Sequence, residues 1–146
     1  MTKRQLLAII DSDRVQNAVE RAENCTSGEI VVSVSGIFWG DVEQAARRAF
    51  ARLGIANTRR RNGILIFVVP SRRRFMVLGD TGIHQSAGPD FWLRVAAGLS
   101  ADFHRGNFTD GLVTAIETIG EQLAAHFPCD PATDRNELAD KIDLAG

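Results

Sequence analysis

The chain has 146 residues, 45% hydrophobic and 24% charged, with a formal net charge of −1; this suffices for one domain with its own core, and the global balance recruits neither nucleic acid nor an anionic membrane. Charge is uneven along the chain, because residues 129–146 carry five acids against Arg135 and Lys141, a local −3 that leaves the first 128 residues at +2. The apolar start at residues 6–10 is too short for an export signal and no stretch nears the roughly 20 residues that span a bilayer, so the expectation is a cytoplasmic protein without membrane insertion, with Cys25 and Cys129 as reduced thiols.

In chain order, Asp11 or Ser12 caps a helix that carries Val15, Ala18, Val19 and Ala22 on one face. Thr26, Ser27 and Gly28 stop it, with Gly28 suited to a left-handed turn. Residues 29–35 are rich in β-branched side chains and read as a strand. Asp41 caps a second helix bearing Val42, Ala45, Ala46, Ala49, Phe50 and Leu53, which Gly54 closes. Residues 64–69 are a continuous apolar run, as expected of a strand covered on both faces.

Pro70-Ser71-Arg72-Arg73 forms a short turn, so residues 74–78 return as an antiparallel hairpin partner; a parallel return needs a dozen or more residues. The first strand reaches the second through a helix, a parallel crossover. Residues 80–88 read as a loop, and Pro89 fits the first turn of a helix with Phe91, Trp92, Val95, Leu99 and Phe103 at helical spacing. Thr109 is expected to cap a last helix with Leu112, Ile116, Ile119, Leu123 and Phe127 in one stripe. The acidic residues 129–146 read as an extended or poorly ordered tail.

The fold class that follows is α/β: a small mixed β-sheet, one parallel crossover plus one antiparallel hairpin, sandwiched between α-helices. That topology places Glu29, the triplet Arg59, Arg60 and Arg61, and Asp80 at one end of the sheet. Arg72, Arg73 and Arg74 lie at the other end, roughly 20 Å away at 3.3 Å per residue. The six arginines therefore make no continuous basic patch, and nucleic-acid binding is not expected.

Three catalytic motifs are imitated. Asp80-Thr81-Gly82 spells the aspartic-protease tripeptide, but that chemistry needs two such turns facing each other in an all-β fold. Asp11 and Asp13 with the later Asp80 imitate haloacid-dehalogenase phosphatases, whose strands must run parallel; the hairpin into Asp80 forbids it. Cys129 to Arg135 has the spacing of a cysteine-phosphatase loop, but Pro131 removes an N–H donor and Asp130 and Asp134 repel phosphate. No His or Cys spacing suggests zinc.

Several stretches together resemble the TPM domain family: residues 21–32, where a helix end runs into the first strand; residues 62–70 with the arginine turn and residues 77–83; and residues 103–112 at the entry to the last helix. The resemblance covers residues 8–128, with residues 129–146 as a separate acidic tail. It implies an α/β sandwich, a Ca²⁺ or Mg²⁺ site formed by acidic loops beside the sheet, and, from a plant member, acid phosphatase activity. Many members carry an export signal and a membrane anchor, and the chain resembles instead a short stand-alone form.

Hard oxygen ligands from Asp80, Asp90 and Glu29, with backbone carbonyls and waters, suit such a cation. The same residues also have ordinary roles, as a turn brace, a helix N-terminus and a solvated strand end. Two functions are expected in competition. One is a cation-binding accessory module with a protein partner. The other is a metal-dependent phosphomonoesterase acting on a phosphorylated ligand, with Arg59, Arg60 or Arg61 neutralising phosphate. No nucleophile or general base stands out for the second.

Overall fold

Two runs of β-branched and aliphatic residues form the centre of the structure, a computed structural model that describes residues 1–37, 39–58, 60–129 and 142–144. They are β1 (Glu29–Val34) and β2 (Gly63–Val69), every residue of both buried. They pair in parallel, Glu29 opposite Gly63 and Val34 opposite Val68. Burial on both faces accounts for the unbroken apolar run in β2. The turn at Pro70–Arg72 reverses the chain, and β3 (Arg74–Gly79) pairs antiparallel with β2, Val69 opposite Arg74 and Ile64 opposite Gly79. The expected crossover and hairpin are both present.

Helices cover the two faces unequally. Helices α1 (Lys3–Ile9), α2 (Ser12–Glu23), α4 (Thr81–Ala87), α5 (Pro89–His104) and α6 (Phe108–His126) share one core with Ile30, Val32, Ile64 and Ile66. Helix α3 (Val42–Arg52) and a short turn at Ile55–Asn57 cover the other face, packing Ala46, Ala49 and Ile55 on Val31, Leu65 and Phe67. Consecutive strand residues thus point into different cores, the period of two that a pleated strand imposes.

Asp11 caps α2 by accepting from Arg14 N–H, Asp41 caps α3 by accepting from Glu43 N–H, and Gly54 ends α3 in the left-handed conformation at φ 70°. The stripe of α6 is buried at Leu112, Ile116, Ile119 and Leu123.

Three expectations are corrected. Residues 80–88 are not a loop, because they hold α4. Gly28 is not left-handed; a Cβ there would meet the Leu123 side chain at 2.7 Å, so the glycine serves close approach of β1's entry to α6. Thr109 does not cap α6, whose N-cap is Asn107; its hydroxyl instead accepts from Asp11 N–H and ties the starts of α2 and α6 together. The helix α1 was not anticipated.

Residues 130–141 lie outside the described residues, and with them Asp130, Asp134, Glu137, Asp140 and most of the Cys129 to Arg135 string. At the far side of this segment Ile142–Asp143 form β4, parallel to β1 at Val32 and Ser33. The sheet order is therefore β3-β2-β1-β4. Buried Ser33 donates to Asp143 Oδ2 at 2.8 Å, and Arg52 reaches the same oxygen at 2.7 Å. That hydrogen bond raises the Arg52 pKa above its ordinary value.

Candidate functional site

The sheet register brings Glu29, Gly63 and Asp80 into one row. Glu29 pairs with Gly63, and Asp80 N–H donates to Gly63 O at 2.9 Å, one residue beyond β3. The sequence therefore placed both acids at the correct end of the sheet, with Arg60 and Arg61 beside them; Arg59 lies outside the described residues.

Asp80 is 5% exposed and is the N-cap of α4. Its Oδ1 accepts from Thr81 N–H at 2.7 Å. The Arg61 guanidinium spans the same carboxylate, Nε donating to Oδ2 at 2.8 Å and an Nη to Oδ1 at 3.1 Å. These bonds hold the Arg61 pKa above its ordinary value. Arg61 reaches this position from a left-handed backbone, φ 54°, and its carbonyl accepts from Gly82 N–H at 2.8 Å. A Cβ at position 82 would stand 2.6 Å from Arg60 O and 2.7 Å from Arg61 O. The tripeptide Asp-Thr-Gly thus has a local explanation: a cap, a helix residue, and a glycine that lets the helix start against the neighbouring loop.

The other two expected ligands do not join Asp80. Strands lie 4.7–4.9 Å apart, so the Glu29 and Asp80 backbones are separated by roughly 10 Å. Ile55 lies over the glycine between them, where a Cβ on Gly63 would meet Ile55 Cγ2 at 2.5 Å. Glu29 is itself buried and engaged. Asp90 stands exposed in the first turn of α5, with α4 intervening. Among the described residues no group of three His, Cys, Asp or Glu side chains is placed to hold one metal ion. As arranged, then, this donor set does not fit a resident Ca²⁺ or Mg²⁺, which takes six or more oxygens at close range. Two buried oxygens in the same loop lack partners, Thr58 Oγ1 and Asn62 Oδ1.

A cleft of about 490 Å³ opens beside Asp80, between α3, β3 and α4. Phe50, Leu78, His84 and Trp92 line it, with the His84 ring stacked on Trp92 at 6.0 Å. Trp92 Nε1 is buried without an acceptor. Strand β3 is the sheet edge here. Because Asp80 faces Gly63 in a hydrogen-bonded pair, alternation turns the N–H and C=O groups of Phe75, Val77 and Gly79 outward. Among the described residues no hydrogen bond covers them. Sequence reasoning missed this edge, which the hairpin and the crossover together leave open, and the Arg61 contact, which placing Arg61 and Asp80 at one end made available.

No described helix is long and apolar enough to cross a membrane. The sequence model of the TPM domain matches residues 2–122. Among solved structures, the chain is similar to the BA42 protein from the psychrophilic bacterium Bizionia argentinensis, at 34% identity and a TM-score of 0.85, covering 94% of this chain and 96% of that one. It shares its fold with the N-terminal domain of the cg2496 protein from Corynebacterium glutamicum, at 15% identity, TM-score 0.63 and coverage of 90% and 83%. The N-terminal domain of a P. gingivalis protein is similar at 20% identity, TM-score 0.62 and coverage of 80% and 78%. No curated protein matches the chain.

Proposed function

The chain belongs to the TPM domain family, and on that premise we propose that it is a binding module that receives an extended segment of a protein partner along β3. The observation that carries this reading is the unpaired outer edge of β3, six residues long and half-buried between helices on both faces. An open edge offers main-chain hydrogen bonds to an added strand, and neighbouring pockets select its side chains. The cleft at Trp92 provides such a pocket, with an indole N–H lacking an acceptor. The test is amide exchange with and without a bound partner peptide selected from a random library. Protection of Phe75, Val77 and Gly79 is expected, and an unprotected β3 in every complex sinks the reading.

A divalent cation enters this reading only at Asp80, and in exchange for Arg61. Support comes from a buried carboxylate that needs a positive neighbour and from the two unpartnered oxygens at Thr58 and Asn62. One carboxylate with backbone oxygens and water is a sparse set for Ca²⁺, which takes six to eight oxygens, so binding should be weak. Calcium should therefore raise the melting temperature of Arg61→Gln more than that of the wild type, and leave Asp80→Asn unchanged. Equal shifts in all three proteins place the ion elsewhere. The phosphomonoesterase reading has less support, since Asp80 is committed to Arg61 and α4.

A further inference from the structure

A second cavity, of about 440 Å³, lies at the opposite end of the sheet from Asp80. It opens between the β2–β3 turn, the end of α5 and the first turn of α6. Its floor is apolar. Leu6 and Val68 are fully buried there. Phe75, Phe103 and Phe108 form a chain of edge-on rings, with centroids 5.9 and 5.2 Å apart.

The rim has one sign of charge. Arg73 and Arg74 line it, both exposed, and among the described residues neither side chain makes a hydrogen bond or ion pair. His104 adds a ring, and among the described residues no acidic side chain lines the cavity. Arg73 stands in the left-handed region at φ 52°. Glycine or asparagine takes that conformation with less strain, so the turn alone gives no reason for an arginine.

We propose that this cavity binds a small amphipathic anion, a carboxylate on an aliphatic or aromatic body. The volume lies within the roughly 300–1,000 Å³ of small-ligand sites, which combine an apolar lining with a few polar groups. The apolar body enters among the phenylalanines, and the carboxylate meets the guanidinium groups at the mouth, where planar N–H donors match two oxygens. The site shares Arg74 and Phe75 with β3 and nothing with Asp80, and its argument from the apolar floor and the charged mouth uses no main-chain group of that strand.

Decanoate is the probe, followed by calorimetry and by NMR of the whole chain. Decanol and decyltrimethylammonium have the same apolar body without the negative charge. Saturable decanoate binding is expected, with shifts centred on Phe75, Phe103 and Phe108 and at least tenfold weaker binding of both controls. The pair Arg73→Asn with Arg74→Glu should weaken decanoate at least tenfold, and Ser100→Trp, which fills the mouth, should abolish it. All variants should melt near the wild type, since these residues are exposed. Equal affinity for decanoate and decanol overturns the proposal, as does undiminished binding by the arginine pair or a shift map centred elsewhere.

Discussion

Arg61 grips Asp80 by both carboxylate oxygens, at 2.8 and 3.1 Å, from a backbone conformation that arginine rarely adopts. The bridge joins the loop before β2 to the helix after β3, and the Gly82 N–H bond to Arg61 O reinforces it. The carboxylate has two separable duties, as helix cap and as ion-pair partner.

Substitution separates these duties. Asp80→Asn keeps an oxygen that accepts from Thr81 N–H, whereas Asp80→Ala removes it. Losing a cap costs about 0.5–2 kcal/mol, so the alanine variant should unfold at lower urea than the asparagine variant. Coincident unfolding curves show that the cap contributes nothing.

Gly82→Ala sets two effects against each other. Alanine in a helix gains up to about 1 kcal/mol over glycine. The new Cβ, however, would stand 2.6 and 2.7 Å from two backbone oxygens that cannot rotate away, and overpacking of that kind costs about 1–3 kcal/mol. Net destabilisation is expected in chemical denaturation, and a stabilised variant contradicts the tight approach.

Gly98→Ala is the matched control. It lies within α5, exposed, with nothing inside 4 Å of a built Cβ. Only the helical preference remains, so stability should rise by about 0.8–1 kcal/mol.

Asp143→Ala removes the acceptor from Ser33, whose hydroxyl is fully buried. An orphaned buried donor costs about 1–3 kcal/mol; the Arg52 contact adds little, because that side chain is 46% exposed. The loss should appear in urea denaturation, with faster amide exchange on β1. Unchanged exchange argues that β4 does not hold the edge.

The central elements were legible because their signals are local. β-Branched runs gave β1 and β2, the arginine turn gave the hairpin, and the caps at Asp11 and Asp41 gave α2 and α3. Helix α1 did leave a signal, Thr2 and Gln5 spaced as a reciprocal capping box, which the structure forms. Helix α4 is bounded by Asp80 and Gly88, but at seven residues its pattern is too short to distinguish from a loop. Strand β4 left no readable signal, since two residues are placed by a contact with Ser33 across 110 positions. The site was half legible. Topology put Arg61 and Asp80 at one end, but the ion pair between them depends on a left-handed backbone at Arg61 that no local pattern announces.

The separation of Ser33 from Asp143 has a consequence for synthesis. At about 5–20 residues per second, β1 emerges from the ribosome roughly 5–20 s before the segment that closes its outer side. From the emergence of β3 until β4 arrives, the nascent sheet has two open edges, each a template for pairing with another chain.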